Sequence, residues 1–593
     1  MGDTADAAKK TRVCVIGAGW FGILAAKTYL QVEPTIDLTL LESNPTPGGT
    51  WSRDRVHPEL RAQQPYGVYE YADLPLPTEG VADPYNTFIP SEKLHEYILS
   101  YATQFGVLDK IRCNSPVTKL ERDGSGEGWR VWVGDATEPE EYDKVIVATG
   151  LTSRPNLPDH LNLDSFTARW LHCRDVGAHY SFLTSPSCKT IVVYGGGKSA
   201  LDAAYLGAKF GKKVEWIIRP DSEGNGTSGI YPSEIMGQNT NDVVGSRWGA
   251  SQYPSLDLME QKHWSYGFFH TGRNRLGYWF HWWWWGYLGR WMDKWAGYEK
   301  SENMKKLRPL VRERAAFWAN VPASIANHPD TLERIHSGEN ITVHRATITS
   351  LSGNIVDTTF GSFPTDALIL ATGWKNSAPI YSPELAAELG VPQPTETYPE
   401  DLRQKWEDLD TRAEAEILKL FPRLKEAPKD WKAKKPITET PYRLYRNIVP
   451  AELAAKRDRS IAFVGAVACL NTAIASEAVA LWAVAWMTEH KGGPIWGPHG
   501  SFTTKEDMEW DVAMRTAFSR TRYQYAGTSQ PYALYEYQPM VDKMMMELEV
   551  NPYRKGGGWW KELFGTYFPR DYKGIVEEWI VKRDEMAKLP NYR

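Results

Sequence analysis

Short apolar runs and stretches of helical spacing alternate along the first part of the chain. Arg12–Ile16 is an apolar run, followed by Gly17-Ala-Gly-Trp-Phe-Gly22, a helical stretch at Ile23–Leu30, and a second apolar run, Ile36–Leu41, that ends at Glu42. Runs of this length bounded by glycine predict buried strands of a parallel sheet, and the intervening period of 3.6 predicts a crossover helix. The unit then recurs. Thr190–Tyr194 predicts a strand, Gly195-Gly-Gly197-Lys-Ser-Ala200 a turn, Leu201–Phe210 a helix, and Val214–Ile218 a strand that ends at Arg219. Two further apolar segments, Lys144–Thr149 with Gly150 and Ala367–Thr372 with Gly373, each close on Ala-Thr-Gly, one after each unit.

Elsewhere the pattern changes. Asp221–Ile335 is long for the interior of a nucleotide-binding unit and reads as an insertion covering the cleft, with one helix at Lys305–Phe317 and Pro309 in its first turn. Pro399–Lys435 is charged and predicts a helical segment on the surface. Val464–Met487 is apolar enough to raise the question of a membrane span. Glu477 lies within it, and an Ala-rich helix after a short strand at Ile461–Val464 makes a core helix the better reading.

The glycine spacing carries chemistry. Gly17 permits a tight turn, Gly19 lets backbone approach a pyrophosphate, and Gly22 lets helix and strand pack closely. The helix N-terminus then offers free N–H groups to an anion. Glu42, 25 residues beyond Gly17, is placed to accept hydrogen bonds from a ribose. At the matching offset of 24 from Gly195 the acid is replaced by Arg219. A guanidinium binds a 2′-phosphate that a carboxylate would repel, so the second unit is expected to prefer NADP over NAD. A solvated arginine at a strand end is the plainer alternative.

Composition narrows the class. Of 593 residues, 42% are hydrophobic and 24% charged, which excludes a disordered or low-complexity chain. The net charge of −5 lacks the basic excess of a nucleic-acid binder. Five widely spaced cysteines without a Cys-x-x-Cys or Cys/His cluster argue against a disulfide framework and a metal site. Met1–Arg12 carries no apolar signal core, so a reducing, cytoplasmic location is the expectation. No Gly-x-Ser-x-Gly elbow supports a hydrolase.

Together these segments resemble the flavin-containing monooxygenase and Baeyer–Villiger monooxygenase superfamily, in a fungal-type form. Gly48-Gly49-Thr50-Trp51 resembles the family's Gly-Gly-x-Trp beside the flavin. Leu60-Arg-Ala-Gln-Gln-Pro65 with Tyr71-Ala-Asp-Leu-Pro75 is similar to its Leu-x-Thr-Asn-x-Pro…Phe-x-Asp-Phe-Pro, and Leu370-Ala-Thr-Gly-Trp374 to its Phe-Ala-Thr-Gly-Tyr. The family fingerprint Phe-x-Gly-x-x-x-His-x-x-x-aromatic appears from Phe166 to Val176 with Phe166 and His172 kept, Ala168 for the glycine and Val176 for the aromatic. The family's catalytic asparagine aligns with Gln63, whose amide reaches one methylene further.

The resemblance implies an α/β fold with two Rossmann-like dinucleotide-binding domains, for FAD and NADPH, and a helical Trp-rich insertion. The expected division is 1–165 for the FAD domain, 166–375 for the NADPH domain with its insertion at about 221–335, and 376–593 for the return to the FAD domain plus a helical, substrate-capping region. FAD is expected at Gly17, Gly19, Gly22, Glu42, Gly49, Thr50, Trp51, Val117, Thr149 and Gly150. NADPH is expected at Gly195, Gly197, Lys198, Ser199, Arg219, Thr372 and Gly373. Gln63 is the candidate catalytic residue, and His172 reads as a structural group that orients the linker. The implied activity is oxygen insertion from O₂ into a medium-sized apolar or aromatic small molecule, of the secondary-metabolite class, through a C4a-(hydro)peroxyflavin. A flavin oxidase or dehydrogenase without oxygen transfer is the alternative, and a non-catalytic binding protein on the same fold is a third.

The tryptophans stand apart. There are 26, with seven between Trp279 and Trp295. On a helical wheel Trp279, Trp282 and Trp283 fall on one side, and Trp284, Leu288, Trp291 and Trp295 on another, while Gly277, Gly286 and Gly289 are expected to bend or break the element. Packed core of the insertion is the leading reading, ahead of a substrate-cleft wall and peripheral membrane contact. The cluster is expected to cap the flavin site.

Overall fold

The computed structural model describes residues 10–220, 227, 229–309, 314–318, 324–427, 438–488, 504–523, 531–586 and 588. Two five-stranded parallel sheets organise it. The first has the spatial order 461–463, 144–147, 12–16, 37–41, 111–112, and the second the order 169–172, 367–370, 190–194, 213–218, 341–345. The strands that begin each Gly-rich unit, Arg12–Ile16 and Thr190–Tyr194, occupy the centre of their sheets, and their continuous apolar runs match burial on both faces.

The predicted crossover helices form at Trp20–Val32 and Lys198–Lys209. Both begin a few residues earlier than the apolar spacing implied, because the glycine turn runs directly into the first helical turn. In each sheet a three-stranded antiparallel meander, at 117–142 and 348–364, is inserted just before the strand that closes on Ala-Thr-Gly. Between the sheets, Arg154–Pro155 pairs antiparallel with Trp374–Lys375, so the outgoing and returning crossovers are joined. The chain re-enters the first sheet at Ile461–Phe463. The next helix, Thr472–Thr488, is enclosed from Ala473 to Met487 and packs on Trp20–Val32. No described helix is long and apolar enough to cross a membrane.

Three expectations are corrected. Lys305–Phe317 is not one helix: a helix spans Glu302–Leu307 and another Ala315–Trp318, and Arg308 adopts an extended conformation before Pro309. The ring of a proline disfavours helical geometry in the residue before it, so Pro309 ends the first helix rather than joining its first turn. Gly277, Gly286 and Gly289 do not break the Trp-rich segment, which is a continuous helix, Arg275–Ala296, capped by Asn274. These glycines are places of close approach: a Cβ on Gly277 would lie 2.5 Å from the Phe268 carbonyl oxygen. Third, the helix turns His281, Trp285 and Leu288 inward and leaves Trp279 and Trp283 exposed, so only part of the tryptophan cluster is core. The surface segment after Pro399 forms a helix over Glu400–Leu420, packed on Lys505–Arg522 through Ala413 and Ile417; its end, 428–435, lies outside the described residues.

Candidate functional site

Each Gly-rich turn is locked by the Ala-Thr-Gly strand of its own sheet. Gly17 has φ +105°, and a Cβ there would lie 2.6 Å from the Ala148 carbonyl oxygen. Gly195 has φ +146°, with its hypothetical Cβ 2.2 Å from the Ala371 carbonyl oxygen. In both units the alanine of Ala-Thr-Gly therefore backs the first glycine, which explains why the two motifs travel together. A Cβ on Gly22 would lie 2.0 Å from the Gly17 carbonyl oxygen, so helix and turn touch there. Neither following helix has a side-chain N-cap at Gly19 or Gly197. No side chain therefore competes with an anion at either helix start, although in the second unit the Ala200 N–H already bonds the Gly197 carbonyl at 3.1 Å.

A cavity of about 780 Å³ opens in front of the first turn. Gly17, Gly19, Glu42, Gly49, Thr50, Trp51, Val117, Thr149 and Gly150 line it, and Lys198 and Ser199 reach it from the second unit. Gly22, Gly195, Gly197, Arg219, Thr372 and Gly373 do not line it. Glu42 is buried and clamps the turn: its carboxylate accepts the N–H of Ala18 at 2.9 Å and of Asn44 at 2.8 Å. Each of its oxygens keeps lone-pair capacity for a further donor. Lys198 is ion-paired to Asp202 one turn along the same helix. Trp51 donates its indole N–H to the Tyr69 hydroxyl at 3.1 Å, and Thr50 and Thr152 hydroxyls meet at 3.1 Å across the cavity rim.

Gln63 lies on the strand Arg61–Pro65 and lines the cavity, but its side chain is exposed and its Oε1 accepts the Ile325 N–H at 3.0 Å. Strand alternation turns its neighbour the other way. Gln64 is buried, lines the same cavity, and donates Nε2 to the Leu470 carbonyl at 2.7 Å. His172 donates Nε2–H to the Gly373 carbonyl at 3.1 Å and accepts the Arg174 N–H on Nδ1 at 3.2 Å. It thereby ties the end of the second sheet to Arg174.

Several cavity groups had no motif to mark them. Arg55 and Arg174 both line it; Arg55 NH1 donates to the Thr152 carbonyl at 3.0 Å and Arg174 NH2 to Asn44 Oδ1 at 2.9 Å. The Nε of each is buried without a hydrogen-bond partner among the described residues. Burial, with Arg174 close by, pushes the Arg55 guanidinium down to about 10. Two guanidinium groups, Arg55 buried and Arg174 half-buried, each with a spare Nε donor, suit an anionic group such as a phosphate. Their signal in sequence was only adjacency, Arg55 to Trp51 and Arg174 to His172. Arg345, at the end of the strand beside Arg219, donates NH1 to the Arg219 carbonyl at 3.2 Å, placing a second guanidinium at that strand end.

The remaining walls come from far along the chain. Ser233, Asn239 and Val244 of the insertion and Val467, Tyr532 and Leu534 of the C-terminal part line the cavity. None of the seven tryptophans from Trp279 to Trp295 does. The cap over the cavity is built by small strands and the C-terminal segment, and the expected role of the Trp cluster as that cap is corrected.

Comparison with known proteins gives consistent results. The pyridine nucleotide-disulphide oxidoreductase family matches residues 11–226. The FAD-dependent monooxygenase rstn6 of Aspergillus nomiae is 34% identical over 596 residues, spanning 96% of this chain and 98% of its own. The FAD-dependent monooxygenase resA of Aspergillus sclerotiorum is 34% identical over 592 residues, with the same coverage of 96% and 98%. Among solved structures, an open form of cyclohexanone monooxygenase superposes with a TM-score of 0.56 at 14% identity, over 91% of this chain and 98% of that one. S-allyl-L-cysteine S-oxygenase from Allium sativum gives 0.50 at 15% identity, over 98% and 99%. At these identities the two structures speak for the fold.

Proposed function

The chain belongs to the FAD-dependent monooxygenase family, and from that premise we propose that it uses FAD and NADPH to insert one oxygen atom of O₂ into a medium-sized apolar or aromatic small molecule. The observation that carries this reading is the shared cavity. Residues of the first Gly-rich unit (Gly17, Gly19, Glu42) and of the second (Lys198, Ser199) face one space. Two redox partners bound to the two units would meet there.

The residues present fit the groups. A turn that excludes a Cβ at Gly17, uncapped N–H groups at the helix start, and orphaned guanidinium nitrogens on Arg55 and Arg174 together suit the pyrophosphate of FAD and an anionic portion of NADPH. When bound, FAD supplies hydride acceptance from NADPH and the reaction with O₂. The chain's own residues bind, orient and exclude water. Glu42 holds the ribose end, and Trp51 with Thr50 borders the flavin. Gly195, Gly197 and Ser199 cradle the second dinucleotide, and Arg219 with Arg345 takes its 2′-phosphate. Thr372 and Gly373 shape the end of that sheet; Thr372 Oγ1 donates to the Asn156 carbonyl at 2.6 Å. Gln63 and Gln64 would supply side-chain amides at the wall of the shared cavity. Leu60, Phe88, Val467 and Leu534 make the apolar wall that a water-poor reaction needs. We place the domain limits at 165 and 375, with the insertion at about 221–335, and the enzyme in the cytoplasm.

One observation favours a second reading. Gln63 spends its amide oxygen on Ile325, so it is held away from free rotation. An oxidase that releases hydrogen peroxide without transferring oxygen would tolerate that. The deciding experiment is a flavin absorbance spectrum of the purified protein, followed by NADPH consumption, hydrogen peroxide release and product mass under ¹⁸O-labelled O₂. The proposal expects a yellow protein and label in the product. A colourless protein indifferent to NADPH refutes it, and peroxide equal to NADPH consumed across a broad substrate panel replaces it with the oxidase.

A further inference from the structure

The outer face of the helix Arg275–Ala296 exposes large apolar side chains at a regular helical spacing. Leu276, Trp279, Phe280, Trp283 and Tyr287 all point to solvent, Leu276 at 72% and Trp279 at 62% exposure. The inner face, with His281, Trp285 and Leu288, already fills the core. A helix whose inner face is satisfied ordinarily carries charge outside, as Glu400–Leu420 does here. This one does not.

The patch continues onto three other segments. Phe268 lies over Gly277, and its ring is 6.2 Å from that of Trp264. Trp264 stacks with Trp248 at 6.1 Å, Trp248 meets Phe564 at 5.4 Å, and Phe564 meets Trp560 at 4.4 Å. Trp560 and Trp559 are again exposed, at 60% and 71%. Segments far apart in sequence thus build one aromatic surface, unlike the scattered apolar residues of an ordinary surface.

Charge at the patch is opposite to that of the molecule. Between Lys262 and Lys294 stand five basic residues, Lys262, Arg273, Arg275, Arg290 and Lys294, all exposed, against one acid, Asp293. Asp293 is itself ion-paired with Arg308 at 2.7 Å. The whole chain carries −5. Tryptophan with flanking Arg and Lys is the composition that sits at the headgroup level of a bilayer, with rings among the glycerols and cations on the phosphates.

We propose that this face docks the protein on the surface of an anionic lipid bilayer, without crossing it. One short run, 240–251, supplies both the cavity wall at Val244 and the patch at Trp248. An apolar small molecule dissolved in the membrane would therefore reach the cavity from a neighbouring wall; that consequence rests on the proposed function, while the docking does not.

The test uses the full chain and sedimentation with vesicles of phosphatidylcholine alone or mixed with phosphatidylserine. The wild type is expected to pellet with the mixed vesicles, with a blue shift in tryptophan emission, and to dissociate as salt rises. Leu276→Ser/Trp279→Ser/Trp283→Ser should weaken partitioning by at least about tenfold with an unchanged unfolding midpoint. Arg273→Glu/Arg275→Glu should remove the preference for phosphatidylserine. Should the triple variant unfold, Trp279→Ser alone should still weaken binding measurably. Wild-type protein that stays in solution with both vesicles overturns the proposal, and so does partitioning that ignores these substitutions. A dimer that the triple variant converts to monomer, with no vesicle binding, shows instead that the face pairs two copies.

Discussion

Arg219 and Glu477 show how single side chains carry separable consequences. Arg219 ends a strand of the second sheet with Arg345 beside it, so Arg219→Ala should raise the KM for NADPH far more than that for NADH, and Arg345→Ala should do the same to a lesser degree. Equal changes for both nucleotides in steady-state kinetics would remove the 2′-phosphate assignment. Glu477 is buried on the helix Thr472–Thr488, accepts the Ala72 N–H at 2.8 Å, and faces Tyr71, Tyr97 and Tyr101, with the Lys27–Asp73 ion pair nearby. Burial first, and the Asp73 charge second, push its carboxyl from its ordinary 4.5 up to about 8. The folded state therefore holds this proton more tightly than the unfolded chain. The resulting stability is complete below about pH 4.5 and fades as pH rises through about 8. Glu477→Gln keeps an acceptor for Ala72 and removes the titration. Its unfolding free energy should fall less than the wild type's between about pH 5 and pH 9, by on the order of a few kcal/mol; parallel pH profiles in chemical denaturation would contradict this.

At the scale of elements, what could be read from sequence was whatever is written locally. The two strand–turn–helix–strand units were legible because glycine spacing and continuous apolar runs are short-range signals, and Arg12–Ile16 and Thr190–Tyr194 form as expected. The two antiparallel meanders were not, since their strands, such as Trp129–Val133 and Ile355–Thr358, mix charged and apolar residues that only find partners through hairpin register. Arg55 and Arg174 escaped for a related reason: an arginine comes to line a cavity only when segments distant in sequence form its walls. The Trp helix was visible as composition, but its two-sided use was not, because whether an apolar position faces core or solvent depends on neighbours such as Phe317 and Tyr253. That division predicts unequal effects along one helix. Trp285→Ala, emptying a buried site, should cost about 3–5 kcal/mol in equilibrium unfolding. Trp279→Ala should stay within about 0.5 kcal/mol. Similar losses at both positions would mean that the outer face is not free in solution.

On the scale of the whole molecule, the C-terminal helices are strapped to the insertion by buried ion pairs. Arg247 is bonded to Asp542, with NH2 to Oδ1 at 2.9 Å, and Arg515 to Asp257 at 2.8 Å; Arg446 joins Asp511 and Glu547 within the C-terminal part, each at 2.8 Å. Removing one partner of such a pair leaves a charge stranded in the interior, so Arg247→Ala should destabilise by about 3–5 kcal/mol. Arg403→Ala, in an exposed pair with Glu400, should change stability by less than about 1 kcal/mol. Thermal or denaturant unfolding of the two variants decides the point. No local pattern announces these pairs, which is why the packing of the C-terminal helices on the insertion was not legible in the sequence. The re-entry of Ile461–Phe463 into the first sheet has a further consequence, in time. That sheet pairs residue 461 with residue 145, while its central strand begins at Arg12. During synthesis at roughly 5–20 residues per second, the N-terminal strands emerge on the order of tens of seconds before the edge strand that completes them. The first nucleotide-binding unit, though first in the chain, is the last to close. Until residue 463 is synthesised, the apolar strand 144–147 lacks its partner on that side, so the nascent protein carries an open parallel sheet edge through most of translation.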